Sequence, residues 1–576
     1  MALVNEQSAA AGIAPGGFIN PAIYSLGKNT NVPLVFHDIA DFSGNQSLYS
    51  NYFAVPGYDL CTGWGTPDGS NFINALSPPP EGSLAVTISP PVVAAAGAQW
   101  RVDGGLSRKS GATAASLSAG NDNDLHAVSF TAIPGWVAPP GQTVSIKRNT
   151  TARAAGVYVK YIPRAPLTVS TNGRGAILPV ENGKLLAIGA NYRLTATPAL
   201  NFLFSNWVGG TSEPYQVLST NPLCAFTMQS NLVLTANFVT NQFLAAQGGY
   251  YGLFSDANSP RQHASSGGFH FNLLSARSFA GALSCGSNTV PFFGAFDVGG
   301  QARVVTRLNP TISVTATLQL DFAGQTVGGT VSNANFAATL NGFRNAFSAA
   351  HPAAAYAGQY TLVILGTNDP AHGPFGFSYG ALTVSPLGIV TIGGALADGT
   401  LGVTESSAIS PNGCWPFYVK LSGGAGSLWA WTCISNHQIT ASASWINATN
   451  SSALAVYRGG FANQNATIIG SSYVRTNKPL FGFTNGQAVV EQGGAAPFAF
   501  TNRAAVSAAD VIALTGSNKL LLRINPANGV LSGSFANPLN VKQIIPINGV
   551  LLQGDSTAAG YFLGTNQSGF FTLAPP

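Results

Sequence analysis

The 576-residue sequence is poor in charged residues, in methionine and in cysteine. Asp, Glu, Lys and Arg make up 8% of it, the formal net charge is +5, and there are 2 methionines and 5 cysteines. The positive charge is slight for this length and is not clustered, so we expect no nucleic-acid partner. The sequence also lacks an apolar run long enough to cross a bilayer, and we therefore expect no membrane span.

Glycine and proline are abundant instead, with 67 and 35 residues. Because both residues weaken a helix interior and both supply turns between strands, this composition predicts a mainly β protein. The hydrophobic content of 46% is ample for buried cores. The length of the chain predicts several domains.

One stretch has residue types and spacing that indicate a specific chemistry. Asp38 follows a short apolar run, and Asp59 follows a Pro-Gly turn further along the chain. Calcium takes about six to eight oxygen ligands from carboxylates, main-chain carbonyls and water, and glycine lets the backbone aim a carbonyl at the ion. The same residues also suit an Asx-turn and a helix cap, which need no ion.

The segments around these two aspartates resemble the C-terminal end of the sedolisin family, secreted serine-carboxyl peptidases with a subtilisin-like fold. The resemblance covers residues 1–80 and rests on five runs: ALVNE (2–6), GFINPAIY (17–24), FHDI (36–39), VPGYDLCTGWGTPDG (55–69) and FINAL (72–76). It implies a small α/β remnant of a subtilisin-like fold at the N-terminus. Within it the sequence predicts short helices at 21–26 and 69–76, and we expect this remnant to be the least stable part of the chain.

The resemblance also implies a Ca²⁺ site. In that site Asp38 and Asp59 bind through their carboxylates. Ile39, Val55 and Gly57 offer main-chain oxygens. The family usually has Gly where this chain has Val55, and a main-chain carbonyl ligand is compatible with this change.

The catalytic residues that the resemblance implies have no counterpart in this sequence. In sedolisins the nucleophilic Ser lies in a Gly-Thr-Ser segment before the helix with the Ala-Leu-Val-Asn run, and the catalytic Glu and Asp lie further upstream. A nucleophile needs a base within reach and a group that orients the base, so we expect no peptidase activity from this chain alone. The segment GGTS (209–212) resembles the nucleophile motif, but no helical pattern follows it, and we interpret it as a turn in a β-repeat.

Beyond a Pro-rich linker at 77–83, the sequence predicts two compact β-modules. Residues 81–161 alternate apolar and polar residues and resemble a PEGA-like β-sandwich. Residues 162–239 resemble the internalin-type bacterial B-repeat, which implies a β-grasp-like spacer on extracellular proteins. Trp207 in this module suits either a ligand platform or core packing, and core packing is our prediction.

Residues 240–576 contain an internal repeat of a strand, a turn and a strand that ends in glycine. Its copies lie at 269–283, 381–396 and 521–535. Period-two alternation with glycine at strand ends predicts antiparallel barrels or sandwiches, which we place at 240–390 and 391–576. Trp415, Trp429 and Trp431 suit a sugar or peptide groove or the core, and we predict the core.

Two of the five cysteines flank a predicted hairpin. Cys414 and Cys433 would lie nearly opposite each other if the hairpin turns at its glycines, which suits a disulfide. Two buried thiols are the alternative. The odd number of cysteines leaves at least one thiol free.

Two function hypotheses of different classes follow. The first is the C-terminal part of a secreted, calcium-binding sedolisin-type serine endopeptidase, which meets a protein or peptide substrate through a catalytic domain missing from this chain. The second is a noncatalytic extracellular surface or adhesion protein that binds glycan or protein through its β-modules. Both hypotheses imply a secreted or cell-surface location, although the sequence shows no signal peptide.

Overall fold

The computed structural model describes residues 1–28, 32–46, 52–119, 124–256, 260–421, 425–448, 456–476, 479–494 and 497–576. These residues are mainly β and form several separate sheets, which confirms the predicted fold class. They form two compact units, one of residues 1–167, 182–192 and 226–232 and one of the remaining residues. Within the described ranges every helix is too short to cross a bilayer.

Residues 1–80 form short helices and two-stranded sheets, and the two helices predicted there are present. The elements are α1 Ala2–Ala11, α2 Asn20–Gly27, α3 Val32–Val35, β1 Phe36–His37, β2 Phe42–Gln46, β3 Phe53–Ala54, β4 Thr66–Pro67 and α4 Gly69–Leu76. Strand β1 pairs with β4, and β2 pairs with β3. Several large apolar side chains of this segment face solvent, among them Phe18, which is 81% exposed.

The next module is a β structure with one short helix, α5 Pro91–Ala95. Its strands are β5 Glu81–Ser89, β6 Gln99–Val102, β7 Arg108–Lys109, β8 Thr113–Ser118, β9 Leu125–Phe130, β10 Trp136–Val137, β11 Gln142–Ser145, β12 Thr151–Val157 and β13 Val159–Lys160. Strands β5 and β12 pair in parallel, and β9 pairs with β6 and β11. Trp100 is fully buried in the core and donates its indole N–H to the Lys109 carbonyl at 3.0 Å.

One buried histidine in this module is held from both sides. The Nδ1 of His126 lies 2.6 Å from Oδ2 of Asp103, and its Nε2 lies 2.9 Å from the carbonyl oxygen of Ser118. The hydrogen bond from His126 is the main cause that lowers the pKa of Asp103. Burial by itself lowers the pKa of His126, but the bonds to Asp103 and Ser118 and the charge of Asp103 together raise it. The pair therefore favours the ionised forms of both side chains.

Residues 164–240 form nine further strands: β14 Arg164–Pro166, β15 Thr168–Asn172, β16 Gly175–Leu178, β17 Leu185–Ala187, β18 Asn191–Pro198, β19 Phe202–Gly210, β20 Gln216–Ser219, β21 Leu223–Thr227 and β22 Val233–Thr240. Strand β22 pairs in parallel with β15 and antiparallel with β19. Trp207 on β19 is fully buried and donates its indole N–H to the Pro222 carbonyl at 3.0 Å. This position matches the core role predicted for Trp207.

Three antiparallel sheets of eight strands follow the short helix α6 Phe243–Ala246. The first contains β23 Gly248–Ser255, β24 Ser266–Leu273, β25 Ser278–Cys285, β26 Asn288–Ala295, β27 Gln301–Arg307, β28 Ser313–Asp321, β29 Thr326–Ser332 and β30 Ala337–Arg344. The second contains β31 Gly358–Ile364, β32 Ser378–Val384, β33 Ile389–Ala395, β34 Val403–Ala408, β35 Cys414–Leu421, β36 Gly426–Ser435, β37 Gln438–Asn447 and β38 Phe461–Tyr473. The third contains β39 Asn485–Gln492, β40 Phe498–Val506, β41 Ile512–Thr515, β42 Leu521–Ile524, β43 Val530–Asn537, β44 Asn540–Leu552, β45 Thr557–Leu563 and β46 Ser568–Ala574.

Each of these sheets is an up-and-down meander in which the first strand pairs with the second and with the eighth. The sheets curl toward barrels, with an open seam after the fourth strand in the first two sheets and after the third strand in the third sheet. Each encloses its own apolar core. The interiors are filled by side chains, as is usual for eight strands.

The sequence analysis placed a domain boundary between residues 390 and 391, and this boundary is wrong. Residues Ile389–Ala395 form β33, which pairs on both sides within the second sheet. The region holds three sheets rather than two because the repeated hairpin is shorter than one sheet. Its first two copies are the second and third strands of their sheets, whereas the third copy, β42 and β43, holds the fourth and fifth strands.

Cys414 and Cys433 are directly opposite each other on β35 and β36 and form a disulfide. The glycine-rich turn predicted between these strands, at 422–424, lies outside the described residues. Cys61, Cys224 and Cys285 are free thiols. Trp415 is fully buried in the core of the second sheet, as predicted.

Candidate functional site

The structure brings together the five residues that the sequence analysis assigned to a metal site. Asp38 and Ile39 directly follow β1, and Val55, Gly57 and Asp59 lie in the loop that follows β3. Gly57 has a φ of +87°, a left-handed conformation in which glycine is favoured. Asp59 is 6% exposed, whereas Asp38 lies at the surface. The loop therefore places one buried and one exposed carboxylate at the same end of β1.

The carboxylate of Asp59 organises this loop by accepting four hydrogen bonds. Its Oδ1 accepts from the amides of Cys61, at 2.8 Å, and Thr62. Its Oδ2 accepts from the Val55 amide at 3.1 Å and from the Thr62 hydroxyl at 3.0 Å. These bonds lower the pKa of Asp59, and the bond from the Thr62 amide has the largest effect. Burial acts in the opposite direction. The carboxylate is therefore stabilised in its charged form.

Two further hydrogen bonds tie the end of β1 to the same loop. Asp38 accepts a bond from the Gly57 amide at 2.7 Å through its Oδ2. The Thr62 hydroxyl lies 3.4 Å from the carbonyl oxygen of Ile39 and 3.0 Å from Oδ2 of Asp59, so it lies between two of the expected ligand oxygens. Sequence reasoning missed Thr62. Its position three residues after Asp59, where a side chain and an amide both face an Asx-turn, is the signal that indicates it.

The donor chemistry of these residues fits a hard cation, since every candidate ligand atom is an oxygen and two are carboxylates. In the described part of the chain no three His, Cys, Asp or Glu side chains form a cluster, so an ion here would depend on main-chain carbonyls. The oxygens of Asp59 offer about four lone-pair sites, and all are used by the loop. An ion bound to Asp59 would therefore have to displace at least one of these donors, whereas Asp38 accepts a single hydrogen bond from the described residues.

The structure also contains the turn that was the alternative to the ion. The bond from the Cys61 amide to Asp59 is an Asx-turn. The helix cap is made by a different residue, Asp68, which accepts from the Asn71 amide at the start of α4 at 3.0 Å. Asp59 thus holds the loop, and Asp68 begins the helix.

Aromatic rings pack this loop against α2. Tyr58 and Trp64 have ring centroids 5.2 Å apart, and the hydroxyl groups of Tyr24 and Tyr58 lie 3.1 Å apart. Gly27, at the end of α2, is covered by the Trp64 indole, and a Cβ there would lie 2.2 Å from a ring atom. Because any larger residue at 27 would push the ring away, Gly27 helps to fix the position of the loop.

The GGTS segment lies at the end of β19 and continues into bends, with no helix after it. Thr211 and Ser212 therefore do not stand at the start of a helix, as a nucleophile of that motif would require. The segment thus joins two strands of a β-module, in line with its interpretation as a turn in a β-repeat.

Comparison with known proteins first identifies the class of one module. Residues 165–242 match the family model described as the divergent InlB B-repeat domain. The comparison also finds a particular protein: over 67 residues the chain is 42% identical to kumamolisin of Bacillus sp. (strain MN-32). That match covers 11% of this chain and 11% of kumamolisin, so the chain spans about a tenth of this curated relative.

Solved structures give only remote matches. Transferrin binding protein B of Haemophilus parasuis Hp5 is 9% identical, with 77% of this chain and 83% of that chain covered and a TM-score of 0.16. The isotype 1 transferrin binding protein B from serogroup B Neisseria meningitidis is 11% identical, with 77% and 84% covered and a TM-score of 0.16. At these scores the matches support no statement about fold or function.

Proposed function

We propose that this chain is the C-terminal part of a secreted sedolisin-type serine endopeptidase, with a structural Ca²⁺ bound in residues 1–80 and with accessory β-modules. The observation that carries the proposal is that Asp38 and Ile39 are bonded, through Gly57 and Thr62, to the 55–62 loop that contains Asp59. The local identity to kumamolisin supports it. The catalytic Ser, Glu and Asp are absent from this chain, so the peptidase activity belongs to the proposed whole protein.

In this proposal Asp38 and Asp59 hold the ion through their carboxylates, and Ile39, Val55 and Gly57 hold it through main-chain oxygens. The ion would supply positive charge that offsets the two carboxylates and links the end of β1 to the loop. Thr62 keeps the Ile39 carbonyl and Asp59 close together. The amides of Cys61 and Thr62 keep Asp59 ionised and therefore able to serve as a ligand.

The exposed apolar residues of the N-terminal segment also support the proposal. Leu3, Phe18, Leu34 and Leu60 are each more than half exposed. Exposed apolar side chains of this size within one short segment are consistent with a surface that another structure covers. A catalytic domain of subtilisin-like fold is the cover that the proposal supplies.

Calcium titration of the chelator-stripped chain tests the proposal. We expect one site in calorimetry, lost in Asp38→Asn and in Asp59→Asn. Asp41→Asn is a matched control, because Asp41 is an exposed carboxylate of the same segment that is bonded to Asn45 and is not a proposed ligand. Chelation should also make residues 1–80 more sensitive to protease, since an ion that binds only the folded form stabilises it. Equal calcium binding by all four proteins, or no binding at all, would contradict the site.

A second candidate function is favoured by the B-repeat match. In this hypothesis the chain is a noncatalytic extracellular surface or adhesion protein that binds glycan or protein through its β-modules. The full chain would then bind immobilised polysaccharides or surface proteins, and the Asp38→Asn and Asp59→Asn variants would bind equally well. Failure to bind any member of a broad polysaccharide and protein panel would count against it.

A further inference from the structure

The first two eight-stranded sheets meet along a cleft whose lining includes a half-buried acid with one shielded, unpartnered oxygen. The cleft has a volume of about 140 Å³, and its walls come from β23, β24 and β25 of the first sheet and β34 and β35 of the second. Glu405 on β34 lines this space. Its Oε2 is shielded from solvent and has no hydrogen-bond partner among the described residues. A buried carboxyl oxygen without a donor is costly, so its presence calls for an explanation.

Aromatic rings line the rest of the cleft. Tyr251 on β23 and His270 on β24 have ring centroids 6.3 Å apart at an interplanar angle of 23°. Tyr418 on β35 packs against Gly268, where a Cβ would approach the Tyr418 ring to 3.3 Å. The hydroxyl groups of Ser284 and Ser407 complete the polar lining. The lining therefore combines one carboxyl group with three rings.

Contacts on either side of the cleft fix its walls. Lys420 on β35 donates to the Thr289 hydroxyl on β26 at 2.7 Å. Trp429 on β36 donates its indole N–H to the Phe254 carbonyl on β23 at 3.2 Å, and the Arg261 guanidinium lies 3.5 Å from the centroid of the Trp429 ring. These cross-sheet bonds hold the two sheets together, so the cleft is a preformed site.

We propose that this cleft binds a small organic ammonium ion, with the charge opposite Glu405 and the alkyl groups against Tyr251, His270 and Tyr418. Tyrosine faces attract such cations through their ring quadrupoles, and a carboxylate adds a counter-charge. The cleft is smaller than the roughly 300–1,000 Å³ of drug-sized pockets. Its occupant is therefore a free small amine or the end of a lysine side chain.

The charges around the cleft agree with a cationic occupant. Burial lowers the pKa of His270, so its ring is neutral near pH 7 and does not repel a cation. Burial raises the pKa of Tyr418 and of Tyr251, and that of the nearby Cys285 thiol to about 11, so these groups are neutral as well. Lys420 is engaged by Thr289, and Arg344 lies in a separate depression behind Tyr251 and His270, where it bonds to Gln325. Glu405 is thus the acid of the cleft lining that can ionise and supply the counter-charge to a bound cation.

Binding of tetramethylammonium and methylammonium to the full chain tests the proposal, with tert-butanol as a neutral probe of similar shape. We expect the ammonium ions to bind and the alcohol to bind at least tenfold more weakly. Glu405→Gln keeps the shape of the side chain and should lower the ammonium affinity at least tenfold. Tyr418→Leu should lower it severalfold. The matched control Asp555→Asn removes an exposed acid of the third sheet and should leave the affinity unchanged.

A pH series on the unmodified chain provides an independent test. Because burial raises the pKa of Glu405 to about 8, tetramethylammonium, whose charge does not titrate, should bind more tightly as the pH rises from 6 to 9, and its binding should release a proton. Nα-acetyl-lysine-N-methylamide in a further arm separates a lysine side chain from a free amine. Binding that is equal for the alcohol and the ammonium ions, or equal in Glu405→Gln, would overturn the proposal, as would the absence of any binding. None of these outcomes depends on the calcium site, because all cleft residues lie in the second unit.

Discussion

Replacing Glu405 by Gln should stabilise the second eight-stranded sheet at neutral pH. Burial raises the pKa of this carboxyl from its ordinary value of 4.5 to about 8. Because the pKa is raised, the folded state loses stability as the pH rises from 4.5 to 8. The loss is absent below pH 4.5 and complete above pH 8. At pH 7 the shift acts over two and a half units, which corresponds to at most about 3 kcal/mol, because each pH unit between the two values costs about 1.4 kcal/mol.

Hydrogen exchange followed by mass spectrometry is the suitable assay, because a chain with several cores does not unfold in one step. In Glu405→Gln, peptides that cover β33 to β35 should gain opening free energy by up to about 3 kcal/mol at pH 7. They should show no gain at pH 4. Peptides from the third sheet serve as the internal control. An equal effect at pH 4 and pH 7, or a loss of protection at pH 7, would refute the view that burial of this carboxyl acts against folding.

Three other predictions concern the β-modules before this sheet and the disulfide within it. The stability of residues 81–161 should be greatest between the pKa values of Asp103 and His126. The pKa of Asp103 is lowered, so its contribution to stability is lost on acidification, and the pKa of His126 is raised, so its contribution is lost as the pH rises above that value. His126→Asn should flatten this dependence in exchange measurements. Trp207→Ala should destabilise its module by about 3–5 kcal/mol in urea unfolding, and Trp207→Phe by less, since a buried indole of this size leaves a cavity; similar losses in the two variants would contradict that account. Reduction of the disulfide between Cys414 and Cys433, which are 19 residues apart, should cost about 3 kcal/mol in the local stability of β35 and β36, and a Cys414→Ser and Cys433→Ser double variant should be insensitive to reductant.

Much of the fold could be predicted from local sequence patterns. Alternation of apolar and polar residues depends on neighbours in the chain, and it correctly indicated strands such as β24 and β25. The burial of Trp207 and Trp415 followed from the same pattern. The pairing of Cys414 with Cys433 remained one of two alternatives, because a hairpin brings two side chains opposite each other without deciding whether they react.

The number of sheets could not be predicted in the same way. A repeated hairpin indicates which strands are neighbours, but an eight-stranded sheet also needs its first strand to pair with its last. In the first sheet this pairing joins β23 and β30, as in Leu253 opposite Asn341, which are far apart in sequence. Nothing in either strand alone specifies that contact, so the boundary at 390 was placed inside β33.

The two candidate sites differ in how far the sequence indicates them. Asp38 and Asp59 are close in sequence and flank turns, so a local motif was sufficient to assign both of them to one candidate site. Glu405 and His270 face the same cleft only because two whole sheets pack side by side, and neither residue belongs to a motif.

The scarcity of charge in this chain strengthens the inference about Glu405. Only 8% of the residues are charged, and in the described ranges Glu405 has no ion-pair partner within the chain. A leucine or glutamine at this position would avoid the cost of burying a carboxyl at neutral pH. Buried acids with a strongly raised pKa in a cleft are characteristic of functional sites.

If the ammonium ion is the partner, binding should convert Glu405 from the neutral to the charged form, and the stability lost at pH 7 should be recovered in the complex. The same exchange experiment, repeated on the unmodified chain with tetramethylammonium, should therefore protect β33 to β35 and should have no effect on Glu405→Gln; protection of both proteins to the same extent would separate the ligand from this residue.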